Sequence, residues 1–227
     1  MNKTVELVNE WAAFESNYPN GSVEDFCRHY LINKRVEATE EKGNMVGGMV
    51  PPDRTILLMK LLGRITRLFL MYAETAKDKT QLKQFEDFNM LNTTFHLGNA
   101  RKTEVIYNSL NELSTGIDNL NRLKKMGYIT ETDDLDDKRS KRISITPKGR
   151  EVLFKCYDVF GRVNKMLLND MPREDIFLCI QLLKNVEIKF SGMWQQHKGK
   201  DFEDIYKEIM CDDANGVVYE DGADDTK

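Results

Sequence analysis

Residues 101–150 decide the fold, and they read RKTEVIYNSLNELSTGIDNLNRLKKMGYITETDDLDDKRSKRISITPKGR. Between Leu113 and Lys125, apolar residues recur at helical spacing and predict an amphipathic helix with an inward face of Leu113, Ile117, Leu120 and Leu123. The opposite face is polar, which suits contact with base edges, and it carries Thr115, Asp118, Asn119, Arg122 and Lys125. A shorter helix from Thr103 to Leu110 precedes it, so the two predict a helix-turn-helix.

A charged β-hairpin is predicted to follow this helix. Gly127 is placed to act as a left-handed C-cap, and residues 128–132 then alternate like a strand. Residues 141–146 supply the partner strand, and the polar segment 133–140 between them predicts a projecting turn. Thr146 and Pro147 fit the N-cap and the first position of a further helix.

The spacing of these residues resembles that of the MarR-type winged-helix transcription regulators. The residues that match the family's wing are Asp137, Arg139, Ile145, Thr146, Lys148 and Gly149. Upstream, Arg122, Leu123 and Gly127 match the end of the family's recognition helix and the glycine before its first wing strand. Two positions depart from the pattern: Gly116 replaces the usual aliphatic residue, and Asp118 adds a negative charge. The resemblance covers roughly residues 52–191.

This resemblance implies a mainly α fold with a small β-hairpin wing, that is, a winged helix-turn-helix with long dimerisation helices. It also implies a homodimeric repressor in a bacterial cytoplasm that binds double-stranded DNA and responds to a small-molecule effector. The recognition helix would enter the major groove and the wing the minor groove. The residues expected to contact DNA are Thr115, Asp118, Asn119, Arg122, Lys125, Lys138, Arg139, Lys141 and Arg142, with Asp137 positioning the wing.

Within that set, different contacts are expected to have different effects. Arg122 can pair with guanine and Asn119 with adenine, so both are expected to set sequence preference. Arg139 at the wing tip is expected to set affinity, because the minor groove distinguishes base pairs only weakly. Gly116 has two interpretations, a small packing residue or a point of close backbone approach to DNA.

The whole chain is expected to divide into three regions. Residues 1–50 would form a helical extension and linker, residues 51–191 the winged-helix and dimerisation domain, and residues 192–227 an acidic tail. Apolar periodicity predicts helices at Thr4–Ser16, Pro52–Thr75 and Thr80–His96. A further helix is predicted to begin at a capping box formed by Ser22 and Asp25. A glycine-containing linker is expected at Val36–Met49, and two long helices after the wing are expected to end near Ser191. The apolar spacing at Phe202–Ile209 is also compatible with a short amphipathic helix. The dimer interface is expected at residues 52–75 and 172–191.

Net charge alone argues against nucleic-acid binding, because the chain is at −4. The distribution reverses that argument, since Asp201 to Lys227 contains ten acidic residues and two lysines. Lys138 to Arg150 contains six basic residues and no acidic one. A local basic strip of this kind is sufficient for phosphate contact, because counterion release acts close to the DNA.

Several other classes of protein fit the sequence poorly. The chain is 41% hydrophobic and 31% charged, as in ordinary globular proteins, and charges interrupt its longest apolar stretch, so no membrane span is expected. No clustered catalytic group, metal-ligand spacing or cofactor motif is visible, and the four cysteines are far apart. A redox role is an alternative for Cys27, but the sequence favours a reduced thiol at this position. An effector cavity could be lined by Phe69, Tyr72, Phe88 and Met90, although core packing is the simpler role for each. The main alternative function is a winged helix that binds proteins.

Overall fold

The structure, a computed structural model, describes residues 2–39, 53–135, 137 and 139–212. The chain separates into two compact units, residues 1–61 and 62–227. The first unit contains α1 (Lys3–Asn17) and α2 (Val23–Thr39). The predicted capping box before α2 is confirmed by two hydrogen bonds. The Asp25 carboxylate accepts from the Ser22 backbone N–H at 3.0 Å, and the Ser22 hydroxyl accepts from the Asp25 backbone N–H at 3.1 Å.

The predicted linker lies largely outside the described residues. Because α2 continues to Thr39, the expectation that the linker begins at Val36 is wrong; residues 40–52 are not described. α3 (Arg54–Ala76) follows, and the Asp53 carboxylate caps it by accepting from the backbone N–H groups of Thr55 at 2.6 Å and Ile56 at 3.0 Å.

The next helix begins later than its periodicity predicts. A 3₁₀ turn (Lys77–Lys79) leads to α4 (Phe85–Leu97), so the predicted start at Thr80 is wrong by five residues. The buried Thr80 hydroxyl donates to the Lys77 carbonyl at 2.7 Å and accepts from the Leu82 N–H at 3.2 Å. Gln81 takes φ +71°, which no helix accommodates. Local hydrogen bonds therefore hold this segment in a turn.

The winged helix comprises β1 (Ala100–Arg101), α5 (Lys102–Asn108), α6 (Leu113–Lys125), β2 (Ile129–Asp133) and β3 (Lys141–Ile145). The three strands form an antiparallel sheet in the order β1-β3-β2, with Glu131 opposite Ile143 and Arg101 opposite Arg142. The hairpin confirms the predicted wing, and Gly127 has the left-handed φ of +75° that its role as a C-cap requires. Sequence patterning missed β1, which is only two residues long.

Two long helices and a short one complete the second unit: α7 (Pro147–Leu167), α8 (Arg173–His197) and α9 (Phe202–Asp212). The predicted cap of α7 is confirmed, because the Thr146 hydroxyl accepts from the Gly149 N–H at 2.9 Å. A Cβ at Gly149 would lie 2.0 Å from the Tyr128 carbonyl oxygen, so this position requires glycine. α8 continues through Ser191, past the point where the long helix was expected to end.

The core of the second unit lies where α4, α5, α6 and α7 meet the sheet. Its fully enclosed side chains include Met90, Leu91, Val105, Ile106, Leu120, Leu123, Ile143 and Leu153. Cys156 also lies here, and its burial raises the pKa of the thiol to about 11. Within the described ranges, no helix has the length and apolar composition needed to cross a bilayer.

Candidate nucleic-acid interface

The orientation of α6 is set by close packing against α5. The residues that α6 buries are Gly116, Asn119, Leu120 and Leu123. A Cβ on Gly116 would lie 2.5 Å from Cγ2 of Ile106, which is itself fully buried. Gly116 is therefore a packing residue, and this contact accounts for its departure from the family pattern.

The inward face of α6 differs from the predicted one. Leu120 and Leu123 are buried as expected, but Leu113 and Ile117 are 40% and 38% exposed, so their predicted burial is wrong. Compared with the predicted orientation, α6 is rotated about its axis, because the small Gly116 faces α5 where the larger Ile117 was expected. The outer surface of α6 consequently carries apolar as well as polar side chains.

Two of the predicted base-reading residues lie below this surface. Asn119 is only 4% exposed, so its expected exposed position is wrong. Its Oδ1 accepts from Nη2 of Arg122 at 2.7 Å, while its buried Nδ2 has no partner among the described residues. The other three predicted residues of α6, Thr115, Asp118 and Lys125, are exposed.

Arg122 is also drawn inward, by a buried carboxylate on α4. Its Nε and Nη2 lie 2.8 and 2.6 Å from Oδ1 of Asp87, whose side chain is completely buried. The remaining oxygen of Asp87 accepts from the Gln84 N–H at 3.3 Å at the start of α4. The expectation of an outward Arg122 is therefore wrong, because a buried carboxylate requires a cationic partner and Arg122 supplies it.

The base of the wing is held by a carboxylate that the sequence analysis missed. Asp134 follows β2 with its side chain fully buried, and its Oδ2 lies 2.9 Å from Nε of Arg101 and 3.0 Å from Nε of Arg142. Arg142 also donates from Nη1 to the Asn99 carbonyl at 2.8 Å. Arg142 therefore joins β3 to β1 instead of extending from the tip. The strand register that brings these groups together cannot be read from spacing alone.

A second missed carboxylate links the wing to both helices of the helix-turn-helix. Glu131 of β2 forms ion pairs with Lys102 at the start of α5 and Lys124 near the end of α6. Its side chain is 11% exposed, and hydrogen bonds from Lys102 and then Lys124 hold the pKa of this carboxyl below its usual value. Glu131 thereby fixes the wing relative to α5 and α6.

The turn of the wing is organised by Asp137. Its Oδ1 accepts from the Arg139 N–H at 3.0 Å, and its carbonyl accepts from the Ser140 N–H at 2.8 Å. These bonds form an Asx-type turn that presents the exposed Arg139. Lys141 instead pairs across the hairpin with Asp133, whose hydrogen bond raises the pKa of Lys141. Lys138 lies outside the described residues.

The residues expected to line an effector cavity belong partly to the core. Met90 is fully buried, and the ring of Phe88 packs on that of Phe160 at 5.0 Å between centroids. Tyr72, 45% exposed, lines an open cleft of about 350 Å³ between α3 and α7, together with Val159 and Met166. Among the residues that the structure describes, no cluster of three or more potential metal ligands occurs.

Comparison with known proteins agrees with this geometry. A family model described as "Winged helix DNA-binding domain" matches residues 87–149, which run from α4 to the start of α7. The "HTH-type transcriptional regulator Hpr" of Bacillus cytotoxicus is 26% identical over 124 residues, 55% of this chain and 65% of that protein. The chain thus matches less than two thirds of the length of that relative.

Solved structures give the same fold. The transcriptional regulator SlyA superposes with a TM-score of 0.55 at 18% identity, over 62% of this chain and 99% of that one. A transcriptional regulator of the MarR family from Rhodococcus sp. RHA1 superposes with a TM-score of 0.54 at 16% identity, over 60% of this chain and 96% of that one. At such identities the likeness concerns the fold. Together with the wing residues quoted above, these matches confirm the resemblance seen in the sequence: the chain contains a winged-helix domain and shares the fold of the MarR-type regulators.

Proposed function

We propose that the chain is a homodimeric transcription regulator, acting as a repressor in the cytoplasm, that binds double-stranded DNA and has no catalytic activity. The observation that carries this proposal is the exposed outer face of α6 together with a wing on which the Asp137 carboxylate accepts from the backbone N–H of the exposed Arg139. The name of the Bacillus relative, a helix-turn-helix transcriptional regulator, supports it.

The dimensions of the two elements suit the two grooves. α6 has 13 residues and is therefore about 20 Å long, and the major groove admits a single helix of this width. The wing is a two-stranded ribbon with a basic tip, and the narrow minor groove attracts arginine through its negative potential. We assign α6 to the major groove and Arg139 to the minor groove.

The test is the substitution Arg139→Ala, measured on DNA selected from a random-sequence pool and on unselected DNA. Both affinities should fall together, and the slope of log K against log salt should decrease by about one. Lys207→Ala is the control, because it removes an exposed basic charge from α9, which belongs neither to the proposed DNA-contacting elements nor to the proposed dimer helices, and it should change neither quantity. Wild-type protein that retains no DNA at low salt would remove the proposal.

A protein-interaction module is the alternative function, and one observation favours it. Arg122, Arg142, Lys102, Lys124 and Lys141 all pair with carboxylates of the chain itself, which weakens the basic strip that the sequence predicts. If the folded wild type binds no DNA at low salt, this alternative replaces DNA binding. Wild-type affinity in both Arg139→Ala and Lys125→Ala would instead show that DNA is contacted elsewhere than at α6 and the wing.

The dimer is proposed because α8 exposes far more apolar surface than an isolated chain can leave in water. The only residue that α8 buries in the described part of the chain is His197. Its exposed large side chains are Phe177, Leu178, Ile180, Leu182, Val186, Ile188, Phe190 and Trp194. α3 likewise exposes Ile65, Leu68 and Met71. Large obligate interfaces have this apolar character.

Light scattering at micromolar concentration tests the dimer. The wild type should have twice the monomer mass, and Leu182→Glu combined with Val186→Glu should reduce it, because two charges one helical turn apart would be buried. Leu135→Glu is the control, since Leu135 is 98% exposed at the wing and should leave the mass unchanged. A monomeric wild type would contradict the dimer.

Effector control is proposed at the cleft beside Tyr72, because one side of this cleft is formed by α3, which is also assigned to the dimer interface. Small phenolic and hydrophobic compounds should lower DNA affinity in the wild type and lose this effect in Tyr72→Ala. A screen in which no compound changes the affinity of the wild type would argue against control at this site.

A further inference from the structure

We propose that Ser114, Asp118 and Asn121 read the bases, while Arg122 and Asn119 only position the helix that carries them. This inference rests on the proposed DNA binding and assigns its specificity to particular side chains. The inference changes the set of base-reading residues that the sequence predicts. It adds Ser114 and Asn121 to that set, and it takes Arg122 and Asn119 out of it.

The first step is the geometry of α6 itself. Positions i, i+4, i+7 and i+11 lie on one side of a helix, and on α6 the exposed set with this spacing is Ser114, Asp118, Asn121 and Lys125. This outer stripe is opposite the buried set of Gly116, Asn119, Leu120 and Leu123. In the described part of the chain, no hydrogen bond or ion pair occupies the side chains of the outer stripe. They are available to a ligand.

The second step is that α6 cannot rotate to present a different face. Gly116 packs on Ile106 with no space for a further carbon, and Leu120 and Leu123 are enclosed in the core. To bring Asn119 outward, the helix would turn by roughly a third of a revolution, given 100° per residue. That rotation would expose both leucines and separate Arg122 from the buried Asp87.

The third step is the role of the buried polar group. The guanidinium of Arg122 joins Asp87 at the start of α4 to Asn119 on α6, with contacts of 2.6 to 2.8 Å. Charge-assisted contacts of this kind are directional, so they fix rotation more strictly than apolar packing does. Arg122 therefore acts on DNA through the orientation of α6 and is a positioning residue.

The fourth step is the chemistry of the outer stripe. An asparagine can donate to and accept from adenine at the major-groove edge, which suits Asn121. An aspartate can only accept when ionised, so Asp118 suits the amino group of cytosine and repels phosphate. Ser114, near the N-terminus of α6, can contact either type of base, and N-terminal residues of recognition helices contact base edges. Lys125 at the other end suits a phosphate.

The experiment compares two asparagines two positions apart on the same helix. Asn121→Ala should lower the ratio of selected-site to random-DNA affinity by roughly 5- to 150-fold, the range expected for one bidentate base contact. Asn119→Ala makes the same chemical change at a buried position but leaves the Arg122–Asp87 pair that fixes α6 in place, so it should alter that ratio less than threefold, measured well below its melting temperature. The opposite result for the pair would overturn the inference.

A base analogue makes the test independent of folding. Replacing each adenine of the selected site in turn by 7-deazaadenine removes the N7 acceptor. At one position the wild type should lose affinity while Asn121→Ala loses none further, because the contact is already absent. Additive losses at every adenine would contradict a contact by Asn121. Asp118→Asn should likewise remove the preference for cytosine at one position of a reselected site.

The positioning role of Arg122 has its own readout. Arg122→Ala, Asp87→Asn and the double variant should change the affinity ratio by the same factor, because all three break one ion pair. A direct guanine contact would instead make Arg122→Ala much worse than Asp87→Asn. Wild-type protein that binds no DNA would end the proposed function itself, whereas selective binding insensitive to Asn121 would end this inference alone.

Discussion

Gly116 lies where α6 meets α5. A side chain at this position would occupy space that Ile106 of α5 already fills. The atom nearest to an added Cβ, Cγ2 of Ile106 at 2.5 Å, belongs to a fully buried residue. Gly149 makes a similar approach to the Tyr128 carbonyl. At both positions a missing Cβ determines how closely two elements pack, and hence how α6 and the wing are presented.

Substituting Gly116 by Ala should therefore destabilise the fold. Overpacking of an enclosed site costs about 1–3 kcal/mol, which exceeds the roughly 1 kcal/mol gained from helix propensity. Gly161→Ala in α7 is the matched control, because nothing lies within 4 Å of its added Cβ, and it should stabilise by about 0.5–1 kcal/mol. Urea denaturation at fixed protein concentration measures both. Equal effects of the two substitutions would mean that Ile106 can move aside.

The carboxyl of Glu131 should contribute a pH-dependent part of the free energy of unfolding. Its pKa is held below the usual 4.5 by Lys102 and Lys124, so its stabilisation is complete above that value and is lost as pH falls through the lower folded pKa. Wild type should exceed Glu131→Gln by about 1 kcal/mol at pH 7, and this difference should shrink below pH 4.5. A difference that does not change with pH would exclude the charge as its origin.

At the scale of elements, the wing is a short hairpin that could not hold its position by strand pairing alone. Two carboxylates fix it: Asp134 joins it to β1 through Arg101, and Glu131 joins it to α5 and α6. The cost is that these pairs neutralise basic side chains that would otherwise face phosphate. Rigid placement of Arg139 is the compensating gain, because a preordered contact loses less entropy on binding.

Loss of Asp134 should therefore loosen the wing. Asp134→Asn leaves Arg101 and Arg142 without their shared carboxylate, and it should destabilise by about 1–3 kcal/mol, the usual cost of losing a charged hydrogen-bond partner. Backbone amides of β2 and β3 should exchange with deuterium faster than those of α7. Asp133→Asn, which alters an exposed carboxylate one residue earlier, is the control. Unchanged exchange in the wing would show that strand pairing is sufficient.

At the scale of the whole molecule, charge is segregated along the chain. The stretch from Lys138 to Arg150 is basic, whereas Asp201 to Lys227 contains ten acidic residues and two lysines. α9 at the start of the acidic segment is part of the fold, because Glu208 pairs with Lys200 at 2.6 Å and lies 3.6 Å from the buried His197. The rest of that segment, residues 213–227, lies outside the described part of the chain.

Removing residues 212–227 should leave DNA affinity equal or higher, because a segment of net negative charge opposes the approach of phosphate. Removing residues 201–227 should also destabilise the protein, since it takes away α9 and the partner of Lys200. Titration of selected DNA with both truncations, alongside their thermal unfolding, separates these effects. A large loss of affinity in the shorter deletion would assign the acidic tail a structural role.

Periodicity predicted the helices and the wing because both depend on neighbours close in sequence. It placed Thr146, Pro147, Gly127 and the hairpin correctly, and it identified Leu120 and Leu123 as core residues. It failed at Thr80 and Gln81, where a buried hydroxyl holds a turn inside an apparently helical pattern. It also failed for Asn119 and Arg122, whose polar character suggested exposure while their partners were unknown.

The sequence by itself determined the order of the elements, the winged helix-turn-helix and the residues that shape its turn, since the capping and turn preferences involved are local. Only the tertiary structure decided which side of α6 faces outward and which basic groups stay free. Those outcomes depend on carboxylates far away in the chain: Asp87 is 35 residues from Arg122, and Asp134 is 33 residues from Arg101. A buried charge selects its partner by distance in space, and that distance exists only once the core has formed.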